Sequence, residues 1–243
     1  MTTFLQICQA VASDVGFPRP ATVIGASDET AIRLAAVADR EGRALARRYA
    51  WQSLTKEGTF LAQAQENQGT WGSLGSGSAD YSDLDRLIPN TFWDRTENIK
   101  VFGPLDPQEY QALKSATTSG PYWSFRIRGD SVLSYPNPTA GNTVAFEYIS
   151  KYWVDTDGDG VGEADSWQAD TNTPILNDEL LILGMTWRFK KSIGEDYQED
   201  FQVYEQEVAN AMARSGSART LDLSGSGATF RAGIFAPEGN WSP

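Results

Sequence analysis

The spacing of apolar residues changes twice along this chain of 243 residues. Near both ends, apolar side chains recur every three or four positions, as they do on the buried face of an α-helix. Between about residues 56 and 153 they instead fall in short, partly alternating runs that Gly, Pro and Asn separate, a pattern typical of β-strands. Short connections between these runs favour antiparallel pairing. The sequence therefore predicts an α+β protein, in which a helical bundle built from both ends of the chain carries an inserted antiparallel β domain.

The pattern divides the chain into three parts. A helical domain comprises residues 1–55 and 175–213, the β domain comprises 56–174, and an extended tail comprises 214–243. We expect the main helices at 3–15, 28–49, 178–192 and 196–213. The Gly/Ser-rich segment 64–80 is expected to be a mobile loop, with Trp71 as a contact point.

One further helix is predicted inside the β domain, in the stretch FGPLDPQEYQAL at residues 102–113. Asp106 is a good N-cap, and Pro107 then occupies the first helical position, where its missing N–H is no loss. Glu109 follows the cap by three residues and can close a capping box. These residues fix the start of a helix and offer no nucleophile, base or phosphate cradle.

The composition excludes several classes of chemistry. The chain has no histidine, which removes the commonest general base and transition-metal ligand. Cys8 is the one cysteine, so no internal disulfide can form, and its place on an apolar helical stripe predicts a buried side chain. The net charge of −12 opposes tight binding of nucleic acid by its phosphates. The longest apolar run is too short to span a membrane, so no membrane partner is expected.

The acidic stretch VDTDGDGVGEAD at residues 154–165 has the spacing of a calcium loop. The candidate ligands, at loop positions 1, 3, 5, 7 and 9, are Asp155, Asp157, Asp159, Val161 through its carbonyl, and Glu163. The last position of such a loop normally holds a bidentate Glu and here holds Ser166. Two interpretations stay open: a calcium site that stiffens the loop, or an acidic surface loop without metal. No other cofactor is indicated.

Paired carboxylates are a second candidate for chemistry, because they can hydrolyse a glycoside without histidine. Asp83, Asp85, Asp94 and Glu97 cluster in sequence among aromatic residues. Such clusters also arise by chance in a chain with 32 acidic residues, so they do not by themselves indicate an enzyme.

The predicted second helix carries a stripe of basic residues, formed by Arg33, Arg40, Arg43 and Arg47. The stripe is either a solvated, salt-bridged face or a face that meets acidic groups of a neighbouring subunit. The C-terminal tail also has two interpretations, since large apolar residues punctuate a segment rich in Gly and Ser. It is either disordered or ordered on a partner, through Leu221, Leu223, Phe230, Ile234, Phe235 and Trp241.

Several stretches, in order across about residues 1–213, resemble head–tail adaptor proteins of tailed bacteriophages and prophages, a group that includes the podophage tail tubular protein A. They are REGRALARRYAWQSLTKEGTF, IPNTFWDRT, GPLDPQEYQALK, FRIRG, AFEYISKYW and DELLILGMTWRFKKSIGEDYQEDFQVYE. The resemblance implies a structural virion protein of the neck, made in the host cytoplasm, and not an enzyme. It implies a ring, typically of twelve copies, beneath the portal protein, which continues the DNA channel without specific DNA binding and supports the next neck or tail component. It also implies that the C-terminal tail docks on the portal.

Such a ring needs a head-to-tail interface between different faces of adjacent subunits. We expect the arginine stripe of helix 28–49 to meet the acidic face of helix 196–213, in particular Glu199 and Glu205.

Overall fold

The computed structural model describes residues 2–115 and 122–216. The helices of this part of the chain are α1 (Phe4–Asp14), α2 (Glu29–Arg48), α3 (Pro107–Ser115), α4 (Asp178–Ile193) and α5 (Gln198–Ser215). All the strands lie between α2 and α4 in sequence, and α3 separates the first six of them from the last five. The α+β class is therefore confirmed.

Local capping signals place the helix starts where the sequence predicts them. Thr3 closes a capping box with Gln6 at the start of α1, and the Asp28 side chain accepts from the Ala31 N–H at the start of α2. At α3 the Glu109 N–H donates to Asp106 Oδ1 (2.7 Å), and the Asp106 N–H donates to Glu109 Oε2 (3.3 Å). These short-range hydrogen bonds satisfy N–H groups that a helix leaves free at its N-terminus.

The strands of the described chain form three antiparallel sheets. In chain order they are β1 (Thr55–Leu61), β2 (Asn67–Thr70), β3 (Ser73–Leu74), β4 (Leu84–Leu87), β5 (Trp93–Asp94), β6 (Ile99–Lys100), β7 (Ser124–Arg128), β8 (Ser131–Tyr135), β9 (Thr143–Ser150), β10 (Val154–Asp155) and β11 (Thr173–Pro174). The first sheet has the order β1-β9-β5-β6 with β4 also paired to β9, the second has the order β3-β2-β8-β7, and β10 pairs with β11.

Two hydrophobic cores hold the fold together. In the β core, the Phe146 ring stacks on Phe92 at a centroid distance of 4.8 Å, and Phe92 stacks on Phe125 at 4.1 Å. The helical core is centred on α4, which contacts α1, α2 and α5. Trp153 and Trp167 also pack in the helical core, so this core takes in part of the range 56–174 that the sequence assigns to the β domain.

The prediction of a mobile loop at residues 64–80 is wrong. The segment contains β2 and β3, and its Gln68 and Leu74 are fully buried. The Gln68 amide donates to the hydroxyl of Ser134, 66 residues away (3.0 Å), so a polar residue is satisfied inside the β core. Gly69 has a φ of +113°, and a Cβ there would lie 2.2 Å from the Ser73 carbonyl oxygen, so this glycine serves a tight hairpin. Trp71 is a core residue, 7% exposed.

Candidate interaction surfaces

The four arginines of the α2 stripe are all exposed. Two of them have partners within the same chain. Arg33 forms an ion pair with Glu29 one turn earlier (2.5 Å), while Arg43 lies 4.0 Å from Asp39 and donates through Nε to the Asp165 carbonyl (3.1 Å). For Arg33 and Arg43, these pairs agree with the first interpretation of the stripe, a solvated, salt-bridged face.

Arg40 differs from these residues, because no carboxylate of the described residues lies within 4.0 Å of its side chain. It lines a cavity of about 310 Å³ together with Trp187, Arg188 and Lys191 of α4. The Arg188 guanidinium lies 4.5 Å from the centroid of the Trp187 ring, within cation–π range. We call Arg40, Arg188 and Lys191 the basic patch; it is a local positive surface on a chain with net charge −12.

The two acidic residues expected to meet these arginines have different environments. Glu205 forms a two-pronged ion pair with Arg48 of α2 in the same chain, through Oε1 (2.8 Å) and Oε2. The hydrogen bond from Arg48 lowers the pKa of Glu205 below its usual value. Glu199 is exposed in the first turn of α5, and no ion pair joins it to a described cation. Of the two acidic residues, Glu205 is therefore already paired within the chain, and Glu199 has no ion pair among the described residues.

A buried polar cluster joins three helices beneath the basic patch. Glu41 of α2 is fully buried, and its carboxylate accepts hydrogen bonds from Arg188 Nε of α4 and from the Tyr204 hydroxyl of α5. Gly184 of α4 packs directly on this carboxylate, since a Cβ there would lie 2.3 Å from Glu41 Oε1. Burial of Glu41 could not be identified from sequence, because an acidic residue in an arginine-rich helix resembles a surface position.

The acidic loop brings three of its predicted ligands together. Carboxylate oxygens of Asp155, Asp157 and Asp159 lie within 4.8 Å of one another. Asp155 is buried and accepts backbone N–H groups of Gly158 (2.6 Å) and Gly160 (2.9 Å). Burial alone would raise the pKa of Asp155, but these hydrogen bonds outweigh it and hold the pKa below its usual value. The carboxylate is therefore ionised at neutral pH, with or without a cation.

The other two predicted ligands, Glu163 and Val161, have hydrogen-bond partners in the same loop. Glu163 accepts hydrogen bonds from the backbone N–H and the hydroxyl of Thr156, so its carboxylate does not join the aspartate cluster. Val161 is 45% exposed, and its N–H donates to Asp159 Oδ1 (2.7 Å). A calcium ion takes six to eight oxygen ligands. The three aspartates supply only part of that shell, and backbone carbonyls and water would supply the rest.

The carboxylates considered for glycoside hydrolysis have structural partners. Asp83 is buried and accepts from Lys56 (3.0 Å), from the Tyr148 hydroxyl (3.0 Å) and from Ser150 (2.8 Å). Asp94 is fully buried and accepts two backbone N–H groups and the Asn142 amide (2.8 Å).

The remaining two carboxylates of that set lie nearer the surface. Asp85 pairs with Arg86 (3.6 Å), and Glu97 is exposed. Each of the two buried carboxylates thus holds strands and loops in place through its own set of donors.

A groove of about 630 Å³ lies at one end of the helical bundle. We call it the end groove; its apolar walls include Leu45, Trp51, Leu176 and Leu180. Its rim carries Asp178 at the start of α4 and Arg214 and Ser215 at the end of α5. No local motif predicts this groove, because its walls come from segments far apart in sequence.

The apolar residues expected to contact the portal, from Leu221 to Trp241, lie outside the described residues. The expected tail begins within the last turn of α5, which continues to Ser215. Cys8 is buried as predicted, and burial raises the pKa of its thiol well above the usual range.

Helices from both ends of the chain share one hydrophobic core, and the strands between them build a second. The family model of the SU10 adaptor protein matches residues 2–230, and the chain belongs to this family of phage structural adaptors. None of the curated proteins searched matches the chain. Within residues 2–115 and 122–216, no helix combines the length and apolarity needed to cross a membrane.

The family match confirms the predicted kind of protein, a phage adaptor and hence a virion component that meets other head or tail proteins. It does not extend to the podophage tail tubular protein A in particular.

Proposed function

We propose that this chain forms the ring that joins the portal protein to the tail of a tailed phage. About twelve copies would sit beneath the portal, continue the DNA channel used in ejection, and support the next neck or tail component. The subunit would be made in the host cytoplasm and would share this role with the podophage tail tubular protein A. The observation that carries the proposal is the adaptor-family match across residues 2–230.

The charge of the chain suits a conduit. A protein that binds DNA through its phosphates gains affinity from basic residues that displace counterions. With 32 acidic and 20 basic residues, this chain has the opposite balance. A channel wall of net negative charge would repel the duplex and leave it free to slide.

The basic patch is the proposed positive half of the contact between adjacent subunits. Arg40 has no carboxylate of the described chain within 4.0 Å, and Lys191 beside it forms no ion pair there either. Glu199 of the next subunit is the proposed acidic half, because it too lacks an intramolecular ion pair. A contact between two such different faces is heterologous, and it gives a ring when the rotation between neighbouring subunits closes.

The contact with the portal is assigned to the segment beyond α5. Its apolar residues Phe230, Ile234, Phe235 and Trp241 are more than a merely solvated tail needs. The matched family region continues into this segment, to residue 230.

Co-purification with the portal protein tests this proposal. The full chain should be retained by an immobilised portal, and a chain lacking residues 214–243 should be lost. A sharper variant is Phe230→Asp with Phe235→Asp, and its matched control adds the same two charges as Ser224→Asp with Ser226→Asp. Equal retention of the full and shortened chains would contradict the assignment of the portal contact to the tail.

Calcium binding by the acidic loop is a second candidate function, favoured by the three aspartate carboxylates that converge within 4.8 Å. The ion would stiffen the loop and would take no part in catalysis. The carboxylate-pair hydrolase has no comparable support, since Asp83 and Asp94 are each held by their own structural donors.

A further inference from the structure

The basic patch lines a cavity of about 310 Å³ between α2 and α4. Arg40 lies on α2, and Arg188 and Lys191, which are three residues apart in sequence, share one face of α4. The remaining lining residues of the described chain are uncharged: Val37, Trp187 and Ser192. No carboxylate of the described chain thus lines the cavity that these three cations share.

Most of the hydrogen-bonding capacity of these cations is unused. The side chains of Arg40 and Lys191 form no ion pair or hydrogen bond with residues 2–115 or 122–216. Arg188 binds Glu41 through Nε, and its two terminal nitrogens form no further hydrogen bond in those ranges. Lys191 Nζ lies 5.9 Å from the centroid of the Trp187 ring. Because Glu41 offsets one of the three positive charges, about two remain for a ligand.

We infer that the basic patch binds a phosphate group in this cavity. Phosphate carries more negative charge at neutral pH than a carboxylate does, which suits the positive charge that Glu41 leaves unmatched. Its oxygens are arranged tetrahedrally, so they can accept from Arg40, Arg188 and Lys191 at once. The guanidinium group of arginine fits two phosphate oxygens side by side, and lysine adds a point charge.

The phosphate group is that of a small free ion and not that of a DNA strand. A small ion in the cavity responds mainly to the local positive charge, because exposed charges more than about 8–10 Å away are largely screened at physiological salt. A DNA strand would also lie over the surrounding surface of a chain whose net charge is −12, and it would be repelled there.

The phosphate site and the proposed subunit contact share Arg40. The free subunit would hold the ion, and the carboxylate of Glu199 from a neighbouring subunit would displace it when the ring forms. Phosphate binding concerns the isolated chain and does not depend on that ring. A chain that binds phosphate and forms no ring would contradict only the proposed function.

Titration of inorganic phosphate into the isolated full chain tests the site. Nitrogen-15 NMR follows the indole N–H signals of the tryptophans at constant ionic strength, and Trp187→Phe identifies the signal of Trp187. That signal should shift and reach saturation, because Trp187 lines the cavity. A Trp187 signal that does not move would overturn the inference.

Arg40→Gln with Lys191→Gln locates the bound ion. Both side chains are exposed, so the variant should keep its fold, and the loss of two charged donors should weaken phosphate binding at least about tenfold. Arg33→Gln with Arg47→Gln is the matched control, because it removes the same charge from exposed positions of α2 that do not line this cavity. Equal weakening by the two pairs would indicate general attraction to positive charge and would overturn the inference.

A short DNA duplex distinguishes the two sources of a phosphate group. Added at the same concentration of phosphate groups, the duplex should leave the Trp187 signal in place, whereas inorganic phosphate should move it. A shift with the duplex and none with inorganic phosphate would assign the basic patch to DNA and overturn the inference.

Discussion

The Tyr204 hydroxyl of α5 donates a hydrogen bond of 2.5 Å to the buried carboxylate of Glu41 in α2. Arg188 of α4 binds the other oxygen of the same carboxylate. Helix α2 is thus joined at one charged group to α4 and α5, which follow the whole block of strands in sequence. A buried charge that is paired in this way is costly to leave with fewer partners.

Replacing Tyr204 with Phe should destabilise the fold by about 1–3 kcal/mol, because Glu41 loses a donor and keeps its buried charge. Urea denaturation measures the change. Tyr197→Phe is the matched control, since it removes a hydroxyl from a ring that also packs on Trp187. If both variants unfold at the same urea concentration as the unaltered chain, the hydrogen bond to Glu41 does not stabilise the bundle.

The same variant should change how stability depends on pH. Burial, together with the negative charge of Glu41, raises the pKa of Tyr204 above its ordinary value of 10.0. The native state then keeps a proton that the unfolded state releases, so stability falls as the pH rises above 10. Tyr204→Phe should reduce this slope by up to about 1.4 kcal/mol per pH unit. An unchanged slope between pH 10 and 11 would contradict the assignment.

Gly42→Ala should destabilise the chain, although Ala is normally the better helix former by about 1 kcal/mol. A Cβ at this position would lie 2.0 Å from the Trp153 ring. That indole is fully buried and donates to the Asp165 carbonyl (3.1 Å), so it cannot move aside freely. We expect a net loss of about 1–3 kcal/mol by urea denaturation. Gly72→Ala is the control, because nothing lies within 4 Å of its Cβ position. A more stable Gly42→Ala variant would show that the indole yields.

Calcium should bind the acidic loop weakly, with a Kd on the order of 10⁻⁴ to 10⁻³ M, because the bidentate closing ligand is missing. Isothermal calorimetry of the metal-free chain measures this. Asp157→Asn with Asp159→Asn should abolish the heat. Asp130→Asn is the control and should leave the heat unchanged, because Asp130 is an exposed aspartate in the turn between β7 and β8. No heat from the unaltered chain would rule out the site.

Charge reversal at Arg40 should weaken ring formation, because Glu at this position would face the acidic group proposed on the next subunit. We expect a loss of roughly 2 kcal/mol per subunit contact. Light scattering of portal-bound assemblies measures the copy number. Arg128→Glu in β7 is the control, because it makes the same charge change on the β domain and should leave the copy number unchanged. A normal assembly size for Arg40→Glu would exclude Arg40 from the subunit contact.

What could be predicted from sequence depended on the range of the interactions. The starts of α1, α2 and α3 follow from side chains that bond to N–H groups within three residues, so they could be identified locally. The burial of Gln68 gave no such signal, since it lies against the Ser134 hydroxyl of a distant strand, although its bonds to Gln63 and Gln65 are local.

The candidate surfaces show the same limit. The arginine stripe and the aspartate cluster are periodic or contiguous in sequence and could be located from it. The pairing of Glu205 with Arg48, and the end groove, depend on how α5 packs against the rest of the bundle. Helix periodicity predicts that a face is buried and does not identify its partner.

The central claim, that this chain is an adaptor between portal and tail, is tested most directly by cryo-electron microscopy of the assembled phage neck. We predict a ring of about twelve copies between the portal and the next tail component, with the DNA channel passing through it. Particles whose portal contacts the tail without this chain, or in which it lies elsewhere in the virion, would contradict that claim.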